Sequence, residues 1–234
     1  MTNKVDQKME TGIKMVITLA EHSLPVIEEY SNGVRMASGQ YSSESVVQAI
    51  LLSMGTINNR TPILPRNALF YAEGPGMRFC VIEMPAQTRK AFYHEAEIKA
   101  VPFPRLLFGF KLYAEQEQFK ITDVMVAALE SDTIVSDEAK VYFYPYTNVN
   151  NSVDYRVCWG GTTLPRLNHI SQLSTIPELF FNTPNSDSYY SSANLSGLTY
   201  RELTNSLTGL AFPDSILKPS GLTLKSWIDQ ITGN

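Results

Sequence analysis

The first quarter of the chain alternates between apolar runs and polar turns, and one stretch has helical spacing. The β-branched run at 13–20 predicts a strand. Residues 34–38 follow an Asn-Gly turn signal and are its predicted hairpin partner. From Ser43 onward apolar residues recur at helical spacing, so we predict a helix capped by that hydroxyl and ended by Gly55.

Short apolar segments separated by polar turns follow the proline-containing linker at 58–65. Strands are predicted at 68–72, 78–84, 90–94, 106–114, 119–129 and 141–146, with a Gly-Pro-Gly turn after the first. Such a series is typical of an antiparallel meander. In the 78–84 strand, Cys80 is predicted to be a core residue.

The C-terminal third returns to helical patterning. Helices are predicted at 174–181, 199–207 and 222–231, the second with a threonine cap. The polar, serine-rich stretch at 182–196 predicts a mobile surface loop. The fold class is therefore α+β, an antiparallel β-meander with flanking helices. The predicted domains are an N-terminal strand–helix extension, 1–64, and a main domain, 65–234.

Composition narrows the function classes. Hydrophobic residues make up 44% of the 234 residues, and the formal net charge is -4 with no basic cluster, which argues against nucleic-acid binding. No apolar run reaches the length of a membrane helix, and the N-terminus lacks an apolar signal core. Two cysteines do not make a disulfide scaffold. We therefore expect a cytoplasmic protein that uses no cofactor and, lacking metal-ligand motifs, holds no metal.

The clearest candidate chemistry lies at 144–161, YPYTNVNNSVDYRVCWGG. Cys158 sits between apolar neighbours and two glycines, so another chain can pass close to it. A thiolate is a strong nucleophile and a natural carrier of acyl groups. The tetrahedral oxyanion of acyl transfer needs a hydrogen-bond donor, which the amide of Asn148 can supply. A cysteine protease would need a nearby histidine, and the sequence places none beside Cys158.

This segment resembles the active-site stretch of the ubiquitin-conjugating enzyme superfamily, in which a His-Pro-Asn motif precedes a Gly-Arg-Ile/Val-Cys sequence. It is most similar to the prokaryotic family D of that superfamily, known from plasmid and mobile-element operons as PRTRC system protein B. The matching residues are Pro145-Tyr146, Asn148-Val149, 156–160 and Leu164-Pro165, and the resemblance extends over about 65–209.

The resemblance implies a ubiquitin-conjugating-enzyme-like fold in which Cys158 accepts a ubiquitin-like C-terminus as a thioester and passes it to an amine. Asn148 matches the motif asparagine, which orders the loop and steadies the oxyanion. Tyr146, Asp154 and Trp159 are candidate binding residues around it. The implied partners are a ubiquitin-like protein, a ThiF-like activating enzyme and a JAB-type metalloprotease.

The sequence also departs from the family pattern. Tyr146 stands in place of the eukaryotic histidine, Thr147 in place of the proline and Tyr155 in place of the glycine, and the spacing from Asn148 to Cys158 is longer. An inactive scaffold of the same fold, which binds a ubiquitin-like protein or a partner enzyme, therefore remains an alternative. A plasmid- or phage-encoded accessory protein of a non-conjugating assembly is a third. Individually, Cys158 fits a packing residue, Asn148 a turn former and Asp154 an acidic turn residue.

Overall fold

A computed structural model describes residues 13–20, 23–53, 61–94, 96–115, 117–190 and 193–233. The chain divides into two compact units, Met1–Thr61 and Pro62–Asn234. No helix in these ranges is long and apolar enough to cross a membrane. The candidate chemistry lies wholly in the second unit.

In its described residues, the first unit contains a three-stranded antiparallel sheet and one helix. Its elements are β1 (Ile13–Thr18), β2 (Val26–Ser31), β3 (Val34–Gln40) and α1 (Ser43–Ser53), with the strands in the order β1-β2-β3. The predicted pairing of the first strand with 34–38 is wrong, because β3 pairs with β2 across Asn32-Gly33. We missed β2 because its two glutamates obscure the apolar alternation.

The cap of α1 also differs from the prediction. The Ser42 hydroxyl oxygen, not that of Ser43, accepts a hydrogen bond of 3.1 Å from the Ser45 backbone N–H. A side-chain oxygen in this position satisfies one of the unpaired donors in the first turn. The predicted helix end at Gly55 lies outside the described residues.

The second unit is an antiparallel α+β structure, as the sequence predicts. Its strands are β4 (Ala68–Gly74), β5 (Met77–Met84), β6 (Gln87–Tyr93), β7 (Ala96–Phe103), β8 (Arg105–Glu115), β9 (Gln118–Leu129), β10 (Lys140–Phe143), β11 (Arg166–Leu167) and β12 (Pro219–Thr223). Its helices are α2 (Ile176–Asn182), α3 (Tyr200–Leu207) and α4 (Leu224–Thr232), with 3₁₀ turns at Ile170–Thr175 and Asp214–Ile216.

The main sheet is not the continuous meander that the sequence suggests. Its strand order is β12-β10-β9-β8-β5-β4, and β11 also pairs with β9. Between β5 and β8 the chain leaves the sheet and forms a separate ribbon of β6 and β7. The predicted strand at 90–94 therefore lies outside the main sheet. The predicted strand at 141–146 is also too long, because β10 ends at Phe143.

Period-two alternation along the central strands places apolar side chains on both faces of the sheet. In β5, Cys80 and Ile82 belong to one core, while Phe79 and Val81 belong to the other. The first core packs against α2 and α3, and the second against Trp227 and Ile231 of α4. The prediction that Cys80 is a core residue is confirmed, because it has no exposed surface.

Candidate active site

The cysteine segment runs along the outer edge of β9. The Val157 N–H donates to the carbonyl oxygen of Val124 at 2.8 Å, and the Val126 N–H donates to that of Tyr155 at 2.9 Å. These bonds place residues 155–157 between β10 and β11 on the same edge, since β10 pairs with β9 at 127–128 and β11 at 119–120. The backbone carrying Cys158 is therefore fixed by the main sheet.

Alternation along this segment turns the cysteine outward. Tyr155 and Val157 are buried, whereas Arg156 and Cys158 are exposed. Successive side chains of an extended chain point to opposite sides, so one edge pairing buries two residues and exposes the other two. Cys158 is a free, exposed thiol at the rim of the sheet, whereas burial raises the pKa of the Cys80 thiol to about 12.

Cys158 and Asn148 lie side by side. The Cys158 backbone N–H donates to the Asn148 carbonyl oxygen at 2.7 Å, and Val149 and Val157 form an antiparallel bridge. The turn between them closes on the Asn150 carbonyl oxygen, which accepts the Tyr155 N–H at 2.9 Å. The longer spacing between asparagine and cysteine is therefore taken up by this turn.

The side chain of Asn148 faces inward and holds a neighbouring segment. Asn148 is only 7% exposed, and its Nδ2 donates to the carbonyl oxygen of Pro184 at 2.9 Å. Its backbone N–H donates to the carbonyl oxygen of Ser188 at 3.2 Å. Its φ of 67° is left-handed, a conformation that asparagine tolerates better than most residues. The residue is thus bonded on one side to the cysteine segment and on the other to 184–188.

The stretch at 182–196, described except at 191–192, is only in part the surface loop that its composition predicts. Thr183, Asn185 and Ala193 are buried, and Asn185 forms a parallel bridge with Tyr93 at the end of β6. Some of its polar side chains, such as those of Asn185 and Asn194, make internal hydrogen bonds. This segment packs directly against the cysteine loop.

Side chains provide hydrogen-bond partners for the irregular segment between β10 and Cys158. The Asn151 side chain accepts the Tyr144 N–H at 3.0 Å and donates to the Tyr144 carbonyl oxygen at 2.9 Å. Asn194 donates to the carbonyl oxygen of Pro145 at 2.8 Å. The Thr147 hydroxyl donates to Oδ1 of Asn185 at 2.6 Å. A loop without ladder partners is ordered in this way.

Tyr146 is a core residue and does not lie on the predicted binding surface. It is 1% exposed, its hydroxyl donates to the Pro102 carbonyl oxygen at 2.5 Å, and its ring packs on Phe103 and Tyr200. Burial holds the pKa of its phenol well above the ordinary value. In this conformation a partner cannot contact its side chain, so its position supports the loop from beneath.

Trp159 anchors the chain beyond the cysteine. Its ring is half-buried and meets the Phe180 ring of α2 edge-on, with centroids 6.2 Å apart. The chain then turns through Gly160, whose φ is 56°, and the Thr162 N–H donates to the Trp159 carbonyl oxygen at 2.9 Å. Trp159 therefore packs on the helix that follows it in the chain. Cys158 is thus held from both sides.

A small ion-pair group lies on the exposed side of the same segment. Nε of Arg156 is 3.1 Å from Oδ1 of Asp123 and 3.4 Å from Oδ2 of Asp154. Oδ1 of Asp154 also accepts the Arg156 backbone N–H at 3.2 Å. Asp154 is partly exposed and, in this arrangement, orders the turn that leads to the cysteine.

Tyr155, one of the departures from the family pattern, has an unusual backbone conformation. Its φ is 60°, in the left-handed region that glycine adopts without cost, and the superfamily motif that this segment resembles has a glycine at this position. A tyrosine there is strained, and such strain persists only where the surroundings hold it. The ring is 5% exposed and packs on Phe143, with centroids 5.9 Å apart. Packing therefore maintains a turn that glycine would form by itself.

The exposed Cys158 thiol is the group at this site with nucleophilic chemistry. In the described ranges no group of three or more His, Cys, Asp or Glu side chains is placed to hold a metal ion. The site instead presents an exposed thiol on a fixed backbone, beside an asparagine whose amide stabilises the adjoining loop. An exposed thiol on a fixed backbone can act as a nucleophile.

The sequence model of prokaryotic E2 family D matches residues 44–220, well over half of the chain. The chain belongs to prokaryotic E2 family D. The resemblance stated from the sequence is confirmed at the level of this family, and the match extends beyond 65–209 at both ends. Membership gives the family D chain a function related to ubiquitin-like conjugation, and interaction with ubiquitin-like proteins in general. No curated protein and no solved structure matches the chain.

Several residues that build the family D site were missed in the sequence. Thr147, Asn151 and Asn185 are buried polar residues that bond to the cysteine loop or its flank. Single polar residues in Asn- and Ser-rich stretches look like solvated turns. For Asn185 the available signal was its position four residues after the apolar pair Phe180-Phe181, which favours a segment held near the core.

Proposed function

We propose that this family D protein carries the C-terminus of a ubiquitin-like protein as a thioester on Cys158 and transfers it to an amine. The observation that carries the proposal is the 2.7 Å backbone hydrogen bond from Cys158 to Asn148, which holds an exposed thiol at the rim of the sheet. A nucleophile whose backbone is fixed needs little reorganisation to react.

In the first step the Cys158 thiolate attacks the carbonyl carbon of a thioester on an activating enzyme. A C–S bond to Cys158 forms, the C–S bond to the activating enzyme breaks, and its thiolate takes up the proton that Cys158 lost. In the second step an amine attacks the new thioester. An amide bond forms, the Cys158 thiolate leaves, and the amine proton passes to solvent. Neither step changes oxidation state, so no redox partner is required.

We propose that Asn148 orders the cysteine loop and stabilises the oxyanion of acyl transfer. An amide NH₂ has two hydrogens, and the bond to the Pro184 carbonyl uses one. We propose that the other hydrogen is the one that binds the oxyanion formed at Cys158. Removal of one such donor typically costs a factor of about 100 or more in rate. Trp159 and Asp154, which flank the thiol, are proposed contacts for the incoming ubiquitin-like tail or the attacking amine.

The proposed partners are a ubiquitin-like protein and a ThiF-like activating enzyme, with a JAB-type metalloprotease to remove the conjugate. They follow from the resemblance to PRTRC system protein B of plasmid and mobile-element operons. We propose that this chain belongs to such a system and is cytoplasmic.

The test is a charging reaction with purified protein, a cognate ubiquitin-like protein, a ThiF-like enzyme and ATP. We expect a band of higher mass on a non-reducing gel, lost on thiol treatment and absent in Cys158→Ala. Cys80→Ala is the matched control and should still form the band, because Cys80 is buried. Stable binding of the ubiquitin-like protein to wild type and to Cys158→Ala, with no adduct in either, would support the scaffold alternative and overturn the proposal.

A further inference from the structure

Thr147 and Asn185 form a buried polar contact directly behind the proposed nucleophile loop. Thr147 has no exposed surface, Asn185 is 9% exposed, and the Thr147 hydroxyl donates to Oδ1 of Asn185 at 2.6 Å. Breaking one partner of such a pair leaves the other desolvated and unpaired. The contact therefore strongly favours one arrangement of the loop.

Asn185 is anchored independently of the cysteine loop. Its Nδ2 and its backbone N–H both donate to the carbonyl oxygen of Phe92, at 2.9 Å and 2.7 Å. Its own carbonyl oxygen accepts the backbone N–H of His94 at 2.8 Å. Three bonds thus tie Asn185 to the end of β6, so Oδ1 is a fixed acceptor for Thr147.

Thr147 is one peptide bond from the residue that holds the cysteine. It immediately precedes Asn148, which has a left-handed φ of 67° and accepts the Cys158 N–H through its carbonyl oxygen. A left-handed residue other than glycine needs its surroundings to keep it there. The bond to Asn185 fixes the preceding residue and hence the direction of that carbonyl.

We propose that Thr147 and Asn185 are positioning residues for Cys158, which set the Asn148 backbone and through it the place of the thiol. This inference rests on the proposed function for its catalytic consequence. The line of contact runs from β6 through Asn185 and Thr147 to Asn148 and Cys158. Neither Thr147 nor Asn185 needs to contact the acyl group.

The test compares Thr147→Val with Thr147→Ser. Valine keeps the shape and removes the hydroxyl, whereas serine keeps it. Thr204→Val is the matched control, because Thr204 is equally buried and its hydroxyl donates to the Tyr200 carbonyl within α3. Two quantities are measured: the single-turnover rate of thioester discharge to an amine, and the hydrogen-exchange rate of the Cys158 backbone amide.

Thr147→Val is expected to slow discharge by about tenfold, a scale set by small misplacements of reacting groups. It should also speed exchange at the Cys158 amide, while Thr147→Ser restores both values and Thr204→Val changes neither. Equal effects of Thr147→Val and Thr204→Val would overturn the inference, because they would show general destabilisation.

Failure of the proposed function is distinguishable from failure of this inference. If wild type forms no thioester, conjugation is overturned, and amide exchange alone decides whether Thr147 is coupled to Cys158. Faster exchange in Thr147→Val with rescue by serine supports the coupling. Unchanged exchange at the Cys158 amide contradicts the coupling, whatever the result for thioester discharge.

Discussion

Cys158 donates its backbone N–H to the carbonyl oxygen of Asn148 across 2.7 Å, so two residues ten positions apart in sequence lie side by side. The place of the thiol is therefore set by main-chain bonds and not by a side-chain partner. Substitutions of the Cys158 side chain should leave the loop intact. Substitutions of the buried residues that hold Asn148 should instead disturb the loop.

The two thiols should react very differently with a small alkylating reagent. Cys158 is exposed, whereas burial raises the pKa of Cys80 to about 12, so almost none of its thiolate exists at neutral pH. Native protein should take up one label per chain, mapped by mass spectrometry to Cys158, and denatured protein two. Native Cys158→Ser should remain unlabelled. Rapid labelling of Cys80 in folded protein would contradict the burial described above.

Asn151→Ala should destabilise the main domain by about 2–4 kcal/mol, because it leaves both backbone groups of buried Tyr144 without their partner. Urea unfolding followed by tyrosine and tryptophan fluorescence measures this. Asn205→Ala, at an exposed position of α3, is the control and should change the free energy of unfolding little. If Asn151→Ala lowers the free energy of unfolding no more than Asn205→Ala does, the two hydrogen bonds from the Asn151 side chain to Tyr144 contribute nothing to stability.

Gly109→Ala should loosen the packing of α4 on the sheet. A Cβ at Gly109 would overlap Cδ1 of Ile231 and lie 3.1 Å from Cη2 of Trp227, so these side chains of α4 must move. Overpacking of this kind costs about 1–3 kcal/mol. We expect a lower midpoint of thermal unfolding and altered tryptophan fluorescence. Gly161→Ala is the control, since a Cβ there meets nothing within 4 Å; equal midpoints for both variants would refute the packing account.

The ion pair between Arg89 and Glu178 should make stability depend on acidity. Nη1 of Arg89 donates to Oε2 of Glu178 at 2.6 Å, and this bonding lowers the pKa of the carboxyl. A lowered folded-state pKa gives stability that is present above the unfolded value, about 4.3 for glutamate, and is lost as pH falls through the folded one.

Glu178→Gln should therefore lower the free energy of unfolding by at most about 1 kcal/mol at pH 7, because the carboxylate is half exposed and screened by solvent. The difference from wild type should shrink toward zero near pH 3, measured by urea unfolding across the pH range. Glu117→Gln, at another exposed position, serves as control. A constant difference at all pH values would rule out the carboxylate as its source.

Much of the fold follows from pattern alone. Apolar runs bounded by polar turns identified β5, β8 and β9, and the threonine cap and apolar spacing identified α3, whose Thr199 hydroxyl accepts the Glu202 N–H. These elements have local signals that agree with their final burial. The departure of β6 and β7 from the sheet has no such signal, because which strands pair depends on contacts distant in sequence.

The candidate site shows the same division. The exposure of Cys158 is known only from the structure, where alternation buries Tyr155 and Val157, but its role as the candidate nucleophile was predictable from residue type. The inward direction of Asn148 and the burial of Tyr146 were not, because both depend on Pro184 and Pro102 in other parts of the chain. Composition alone made 182–196 look solvated, since the partners of its polar groups lie elsewhere.

The most direct test of the account is intact-mass analysis of charged protein, with Cys158→Ser beside wild type. We predict that both proteins gain the mass of the ubiquitin-like protein less one water. Thiol should remove the added mass from wild type. In Cys158→Ser the added mass should resist thiol and be removed by alkali. Peptide mapping should place both adducts at residue 158. An adduct elsewhere, or none when the ubiquitin-like protein is fully activated, would contradict a thioester on Cys158.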